Sequence, residues 1–178
     1  MKVLKNPVVA LLLTFVIVLT STLVNTNLKF GRLCRDVTDD FYGEDGIAAQ
    51  LSFLRVDAVA LAAVAETNGI DASSLQNSAD DLQRTLSFSS MSIGWLFQSY
   101  DALRKELTVT EQSLLGKSLS DSDAQTVQTL LDRIHREQDK ISASDYNEDV
   151  RTFLRRYDRF PTHILAKLAG VEMPELFA

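Results

Sequence analysis

The residue types that most often hold metals or attack substrates are sparse in this sequence. His135 and His163 are the only histidines, and Cys34 is the only cysteine. A zinc site takes several His or Cys ligands at helical or loop spacing, and no His-Glu-x-x-His pattern occurs here. We therefore interpret His135, with Glu137 and Asp139 close by in the sequence, as part of a solvated helix face.

Patterns for nucleophilic catalysis and for phosphate or calcium binding are also missing. Serines are abundant, so a Ser-His-Asp triad stays open from residue types alone, but no Gly-x-Ser-x-Gly turn accompanies them. The three glycines Gly31, Gly43 and Gly46 do not form a phosphate-binding loop. The acidic cluster in residues 36–45 lacks the ligand order of a calcium loop. The sequence therefore predicts no catalysis, no metal and no cofactor.

The charge balance bears on the class of partner. A formal net charge of −6 argues against a nucleic-acid partner, because such proteins need a basic face to neutralise phosphates. One basic patch does occur, at Arg151, Arg155, Arg156 and Arg159. We expect these cations to complement the negative end of a helix dipole, and contact with anionic headgroups or an acidic partner is the alternative.

The elements that must position these residues begin with an apolar segment. No charged residue lies between Lys5 and Lys29, and residues 7–24 read PVVALLLTFVIVLTSTLV. A helix of that length, at a rise of about 1.5 Å per residue, nearly crosses a hydrocarbon core of about 30 Å. The segment is therefore a transmembrane helix or a cleaved signal peptide. Because no Ala-x-Ala pattern follows it, we favour an uncleaved anchor that spans the lipid bilayer through residues 7–26.

The flanking charges decide little about orientation. Lys2 and Lys5 precede the segment, and Lys29, Arg32 and Arg35 follow it, so the positive charges nearly balance. Both orientations stay open. We take a cytoplasmic amino terminus and an extracytoplasmic domain as the expectation.

The remaining residues show helical periodicity, with apolar positions that alternate steps of four and three residues. The first seam comprises Ile47, Leu51, Leu54, Ala58, Leu61 and Ala65; the second Leu75, Ala79, Leu82, Leu86, Ser89, Ile93, Leu96, Tyr100, Leu103 and Leu107; the third Val127, Leu131, Ile134, Gln138 and Ile141, continued at Tyr146, Val150, Phe153, Tyr157 and Phe160. Asn68-Gly69 and Gly116 to Ser122 predict the turns between them. In the second stretch, residues 87–90 and Gly94 are the weak points of an otherwise unbroken helix.

These seams predict an all-α protein with no competing strand pattern. The expected architecture is an N-terminal transmembrane helix followed by an antiparallel bundle of three long helices with a short C-terminal helix. The corresponding segments are an N-terminal flank at residues 1–6, the transmembrane helix at 7–26 and the helical-bundle domain at 27–178. Residues 27–45 either extend the membrane helix or break near Gly43 and Gly46.

The carboxy-terminal third carries a recognisable pattern. A Tyr-Asn pair with a following Val is succeeded by a Phe-Pro pair, a small apolar helix and a Phe in the tail. In this order the sequence resembles the LemA family of bacterial, membrane-anchored, coiled helical proteins. The residues that carry the resemblance are Tyr146, Asn147, Val150, Phe160, Pro161, Leu165, Gly170 and Phe177. The resemblance implies a fold and a membrane location, and no general activity is attached to the family.

Two functional hypotheses follow. The first is a non-catalytic module that binds or scaffolds an unidentified protein partner at a bacterial membrane, with the motif residues as interaction candidates and with self-association through the helical seams as a further option. The second is an exported sensory or ligand-binding bundle. Its polar candidates inside the bundle are Ser89, Ser92, Gln98 and Tyr100.

Overall fold

The computed structural model of the protein describes residues 7–88, 92–157, 164, 167–168, 170 and 173–178. The regular elements within these residues are all α-helices, which confirms the predicted all-helical class. In chain order they are α1 (Pro7–Tyr42), α2 (Ile47–Thr67), α3 (Ser73–Ser87), α4 (Ile93–Leu115), α5 (Asp121–Ser142) and α6 (Tyr146–Tyr157).

The chain divides into two compact units. We call Met1–Thr38 together with Glu148–Pro174 the anchor unit, and Asp39–Asn147 together with Glu175–Ala178 the core unit. The first therefore contains most of α1 and most of α6. The second contains α2 to α5 and the last four residues of the sequence.

The amino-terminal half of α1 is apolar and bare. Among the described residues, the helix that begins at Pro7 is the one helix long enough and apolar enough to cross a membrane. Every residue from position 11 to position 20 is exposed. The Thr14 and Thr20 hydroxyls donate hydrogen bonds to the carbonyls of Ala10 and Val16, at 2.9 and 2.8 Å. These two polar groups are satisfied by the helix itself, as a lipid environment requires.

The second half of α1 packs in the anchor unit against α6. The Phe30 ring meets Phe153 edge-on at 6.1 Å between centroids, and it meets Tyr157 at 6.5 Å. Val150 is fully buried. Phe153 and Tyr157 of the re-phased seam therefore share the face of α6 that contacts Phe30, whereas Phe160 lies outside the described residues.

The core unit is built around α2, which packs against α3, α4 and α5. All six residues of the first predicted seam are buried along it. The second stretch is divided, because α3 ends at Ser87 and α4 begins at Ile93, with the Ser92 hydroxyl capping the first turn of α4. The division falls at the weak point that the sequence indicates, so the predicted long helix is two helices.

The connections at residues 43–46, 68–72 and 116–120 are short. α1 continues past the membrane segment to Tyr42 and then stops, and both alternatives for residues 27–45 are thus partly realised. A side chain at Gly46 would place its Cβ 2.5 Å from the Phe41 carbonyl oxygen, so only glycine fits. Gly69 has a φ of +70°, which ends α2 as predicted. Ser120 caps α5, because its hydroxyl accepts the Asp123 N–H at 3.1 Å.

Candidate interaction site

Phe177 lies in an aromatic cup within the core unit. Its ring centroid is 5.6 Å from Phe41 at the end of α1, and 5.2 and 5.7 Å from Phe97 and Tyr100 on α4. Ring pairs at such separations add about 0.5–1.5 kcal/mol each to the burial of their area. Tyr146, at the start of α6, contacts the Phe41 ring at 4.9 Å between centroids, with the two ring planes tilted by 56°. The cup leaves only 5% of Phe177 exposed.

The backbone of the same segment is held by side chains. The Asn147 amide nitrogen donates to the Phe177 carbonyl at 2.8 Å, and the Asn147 amide oxygen accepts the Phe177 N–H at 2.9 Å. The Tyr146 hydroxyl donates to the Glu175 carbonyl at 2.7 Å. Asn147 therefore satisfies both backbone groups of one residue, much as a neighbouring β-strand would. We call Phe41, Phe97, Tyr100, Tyr146 and Asn147 the tail seat, and residues 175–178 the tail.

Charge and burial tune the rim of the tail seat. The Ser92 hydroxyl donates to the Glu175 carboxylate, which lies at the surface. Partial burial and the negative charge of Glu175 both raise the pKa of Tyr42. Burial also raises the pKa of Tyr100, with Asp101 adding to this shift and Arg104 opposing it. Both phenols are thus protonated at neutral pH, and the side chains of the tail seat are uncharged and mostly aromatic.

The structure brings three of the predicted motif residues together and places two others elsewhere. Tyr146, Asn147 and Phe177 meet in the tail seat. Val150 is buried in the anchor unit, and Gly170 adopts a φ of +66° and donates its N–H to the Lys167 carbonyl at 3.2 Å. The remaining predicted positions, Phe160, Pro161 and Leu165, lie outside the described residues.

The polar candidates for the ligand-binding hypothesis separate in the same way. Ser92 contacts the tail, and Tyr100 is buried against Phe177. Gln98 is exposed, and Ser89 lies outside the described residues. Two of these four residues therefore serve the tail seat.

An ion pair between a buried carboxylate on α2 and a half-exposed guanidinium on α5 connects these two helices. Asp57 is 3% exposed, and its carboxylate lies 2.7 Å from the Arg133 guanidinium. Burial raises the pKa of Asp57, an effect that Arg133 opposes and that Glu137 reinforces. Glu137 is itself buried and pairs with Lys140 at 2.9 Å. This cluster links α2 to α5 and so holds the two helices in register. Each of its four charged side chains is paired with one of opposite charge.

A surface groove of about 520 Å³ lies between α4 and α5. His135 and Glu111 face each other across it, with 3.4 Å between the imidazole Nε2 and a carboxylate oxygen. Its floor is apolar and its rim carries polar groups. The lining residues are Arg104, Lys105, Leu107, Thr108, Val109, Glu111, Leu131, Ile134, His135 and Gln138. Within the part of the chain that the structure describes, no group of three or more His, Cys, Asp or Glu side chains could hold a metal ion.

Sequence reasoning missed Phe41, Asp57 and the role of Glu175. Asp57 carries a local signal, because it lies three residues after Leu54 and four before Leu61, on the buried stripe of α2. Phe41 and Glu175 carry none, since their partners are distant in the sequence.

In comparisons with known proteins, no family model, no curated protein and no solved structure matches this chain.

Proposed function

We propose that this chain is a bacterial, single-pass membrane protein of the LemA type. Its helical domain acts as a protein-interaction or scaffolding module and performs no catalysis. The amino-terminal part of α1, at residues 7–26, is the anchor in the lipid bilayer.

One observation carries the proposal: a long, uncharged, exposed apolar stretch at the start of α1 is joined to a unit that has its own buried apolar core. Residues 11–20 are all exposed, whereas Leu51, Leu54 and Leu61 in α2 are fully buried. Exposed apolar surface of that extent is stable in lipid and costly in water. The core unit needs no membrane for its own packing, which suits a domain that meets partners from outside the bilayer.

The LemA reading rests on the motif in the carboxy-terminal third. Phe177 lies 30 residues after Asn147, yet Tyr146, Asn147 and Phe177 form one set of contacts. A shared structural task is a physical reason for such residues to occur together as a pattern. The family resemblance itself remains our proposal.

We also propose the finer arrangement of the domain. Neighbouring helices of the core unit, α2 to α5, run antiparallel as a bundle, since short connections at residues 68–72 and 116–120 favour antiparallel neighbours. Here α3 and α4 are separate helices that pack against each other, in place of the single long helix expected from the sequence. The heptad spacing suits coiled-coil packing. With a cytoplasmic amino terminus, the domain lies on the extracytoplasmic side.

Proximity labelling in cells tests the interaction role. A labelling peroxidase inserted after Ser118, in the exposed turn between α4 and α5, leaves the anchor and the tail unaltered. The matched control is residues 1–45 fused to the same peroxidase. We expect a reproducible set of neighbouring proteins that the control does not label. The same neighbours for both fusions would contradict the proposal.

The α4–α5 groove supports a second candidate, an exported ligand-binding module. Its volume of about 520 Å³ falls in the range of small-molecule sites. Native mass spectrometry of the purified full chain tests it. A co-purified small molecule that is lost in a Thr108→Trp variant, which places a large side chain at an exposed position in the groove lining, would favour this candidate over the first.

A further inference from the structure

The tail contacts have the character of a bound peptide. Residues 175–178 form no helix, and their backbone is held by the side chains of Tyr146 and Asn147. The aromatic side chain of this segment, Phe177, lies in a cup of three rings. A buried aromatic anchor and a few backbone hydrogen bonds are the usual means by which proteins bind extended peptides.

Nothing in these contacts depends on the tail belonging to the same copy. Asn147 and Tyr146 bind backbone groups, and the cup binds a ring. The partner residues lie 29 and 30 positions away from the tail residues that they hold. A tail delivered by a second chain could make the same contacts, which is the logic of exchange between identical subunits.

We propose that the tail seat is a peptide-binding site that accepts residues 175–178 of a second copy of this chain. Every copy carries both the seat and the segment that fits it. If α1 holds the copies in one membrane, their local concentration is raised and exchange in trans competes better with the tail in cis. This inference deepens the proposed interaction role and rests on it, by naming one partner.

Peptide binding is the first test. The probe is a fluorescently labelled peptide of residues 173–178, Met-Pro-Glu-Leu-Phe-Ala, added to the detergent-solubilised chain from which residues 175–178 are deleted. We expect saturable binding, weakened about tenfold or more by Asn147→Asp in the seat or by Ala in place of Phe in the peptide. The intact chain should bind the peptide more weakly than the deleted chain, since its seat is filled.

Absence of saturable binding to a folded deletion variant would overturn the proposal, as would equal binding of the Ala peptide. If the deletion variant loses its helical circular dichroism, the full chain carrying Phe177→Ala takes its place. Loss of helix in both variants would show that the tail is an integral part of the core, and would overturn the proposal as well.

Capture between copies is the second test. An affinity-tagged chain lacking residues 175–178 should retain an untagged full chain several-fold better than it retains an untagged full chain with Phe177→Ala. Equal retention of the two would place the association on another surface and contradict tail exchange. Failure here with specific neighbours still found by proximity labelling rejects this inference alone. Failure of both rejects the interaction role itself.

Discussion

The two units expose similar side chains in different surroundings. Phe15, Val16 and Val18 on α1 are 61%, 55% and 58% exposed, and Phe53, Val56 and Val109 in the core unit are 57%, 53% and 58% exposed. Exposure of a single side chain therefore does not distinguish them. The first group lies in an unbroken exposed run without a charge, whereas Arg55 and Asp57 lie among the second. Continuity of the apolar surface is what indicates lipid.

The matched residue types allow a direct test of that difference. The triple variant Phe15→Lys, Val16→Lys and Val18→Lys should lose membrane retention after an alkaline carbonate wash. Each lysine near the centre of a membrane helix costs about 3 kcal/mol relative to an apolar residue, so the total is about 9 kcal/mol.

The control triple is Phe53→Lys, Val56→Lys and Val109→Lys. It should stay in the membrane fraction, since these positions face water. Equal loss from the membrane in both triples would mean that the apolar run on α1 has no special role.

Truncation of a leucine should separate the units by stability. Leu61→Ala in α2 removes a fully buried side chain and should lower the free energy of unfolding by about 3 kcal/mol. Leu12→Ala on α1 removes the same atoms from an exposed site and should leave denaturant unfolding in micelles unchanged. Far-ultraviolet circular dichroism against urea measures both. A loss of similar size for the two variants would contradict the assignment of the core to α2.

The tail seat should respond to a change of one atom. Asn147→Asp keeps the acceptor for the Phe177 N–H and replaces the amide donor by an oxygen that faces the Phe177 carbonyl. We expect a loss of about 2 kcal/mol in unfolding free energy. The exposed Asn77→Asp is the matched control and should change it by less than about 0.5 kcal/mol. If both variants have the same free energy of unfolding, the hydrogen bonds between Asn147 and Phe177 do not hold the tail in solution.

The ion pair in the core unit should give a pH dependence of known sign. The folded pKa of Asp57 is raised, so its favourable contribution is present below the unfolded pKa and is lost as pH rises through the folded pKa. The free energy of unfolding of Asp57→Asn, relative to that of the wild type, should therefore increase as the pH rises from acid to neutral. Arg133→Gln should do the opposite, because it leaves the buried carboxylate without its cation. If the difference in unfolding free energy between Asp57→Asn and the wild type did not change with pH, the raised pKa of Asp57 would be contradicted.

The helices could be predicted from sequence, because their causes are local. The seam from Ile47 to Ala65 is buried, Gly69 ends α2, and Ser120 caps α5. Each of these follows from residues within one or two turns of each other. The apolar segment at residues 7–26 could be predicted equally well, since a long stretch without charges can be recognised without knowing its contacts.

The tail seat could be predicted only in part. The family pattern indicated Tyr146, Asn147 and Phe177 as interaction candidates without saying that they touch. Phe41, at the end of α1, and Phe97, on α4, also contact Phe177, and periodicity does not report contacts between such distant segments. The sequence does not reveal the buried Asp57 as half of an ion pair, because its partner Arg133 lies on another helix.

The central claim is that lipid covers residues 7–26 and water covers the exposed apolar residues of the core unit. An apolar carbene precursor dissolved in the bilayer, activated by light with the full chain in vesicles, tests it directly. Mass spectrometry should find the label on side chains such as Phe15, Val16 and Val18, and not on Phe53, Trp95 or Val109. Label on the core-unit residues with α1 unmodified would contradict the account.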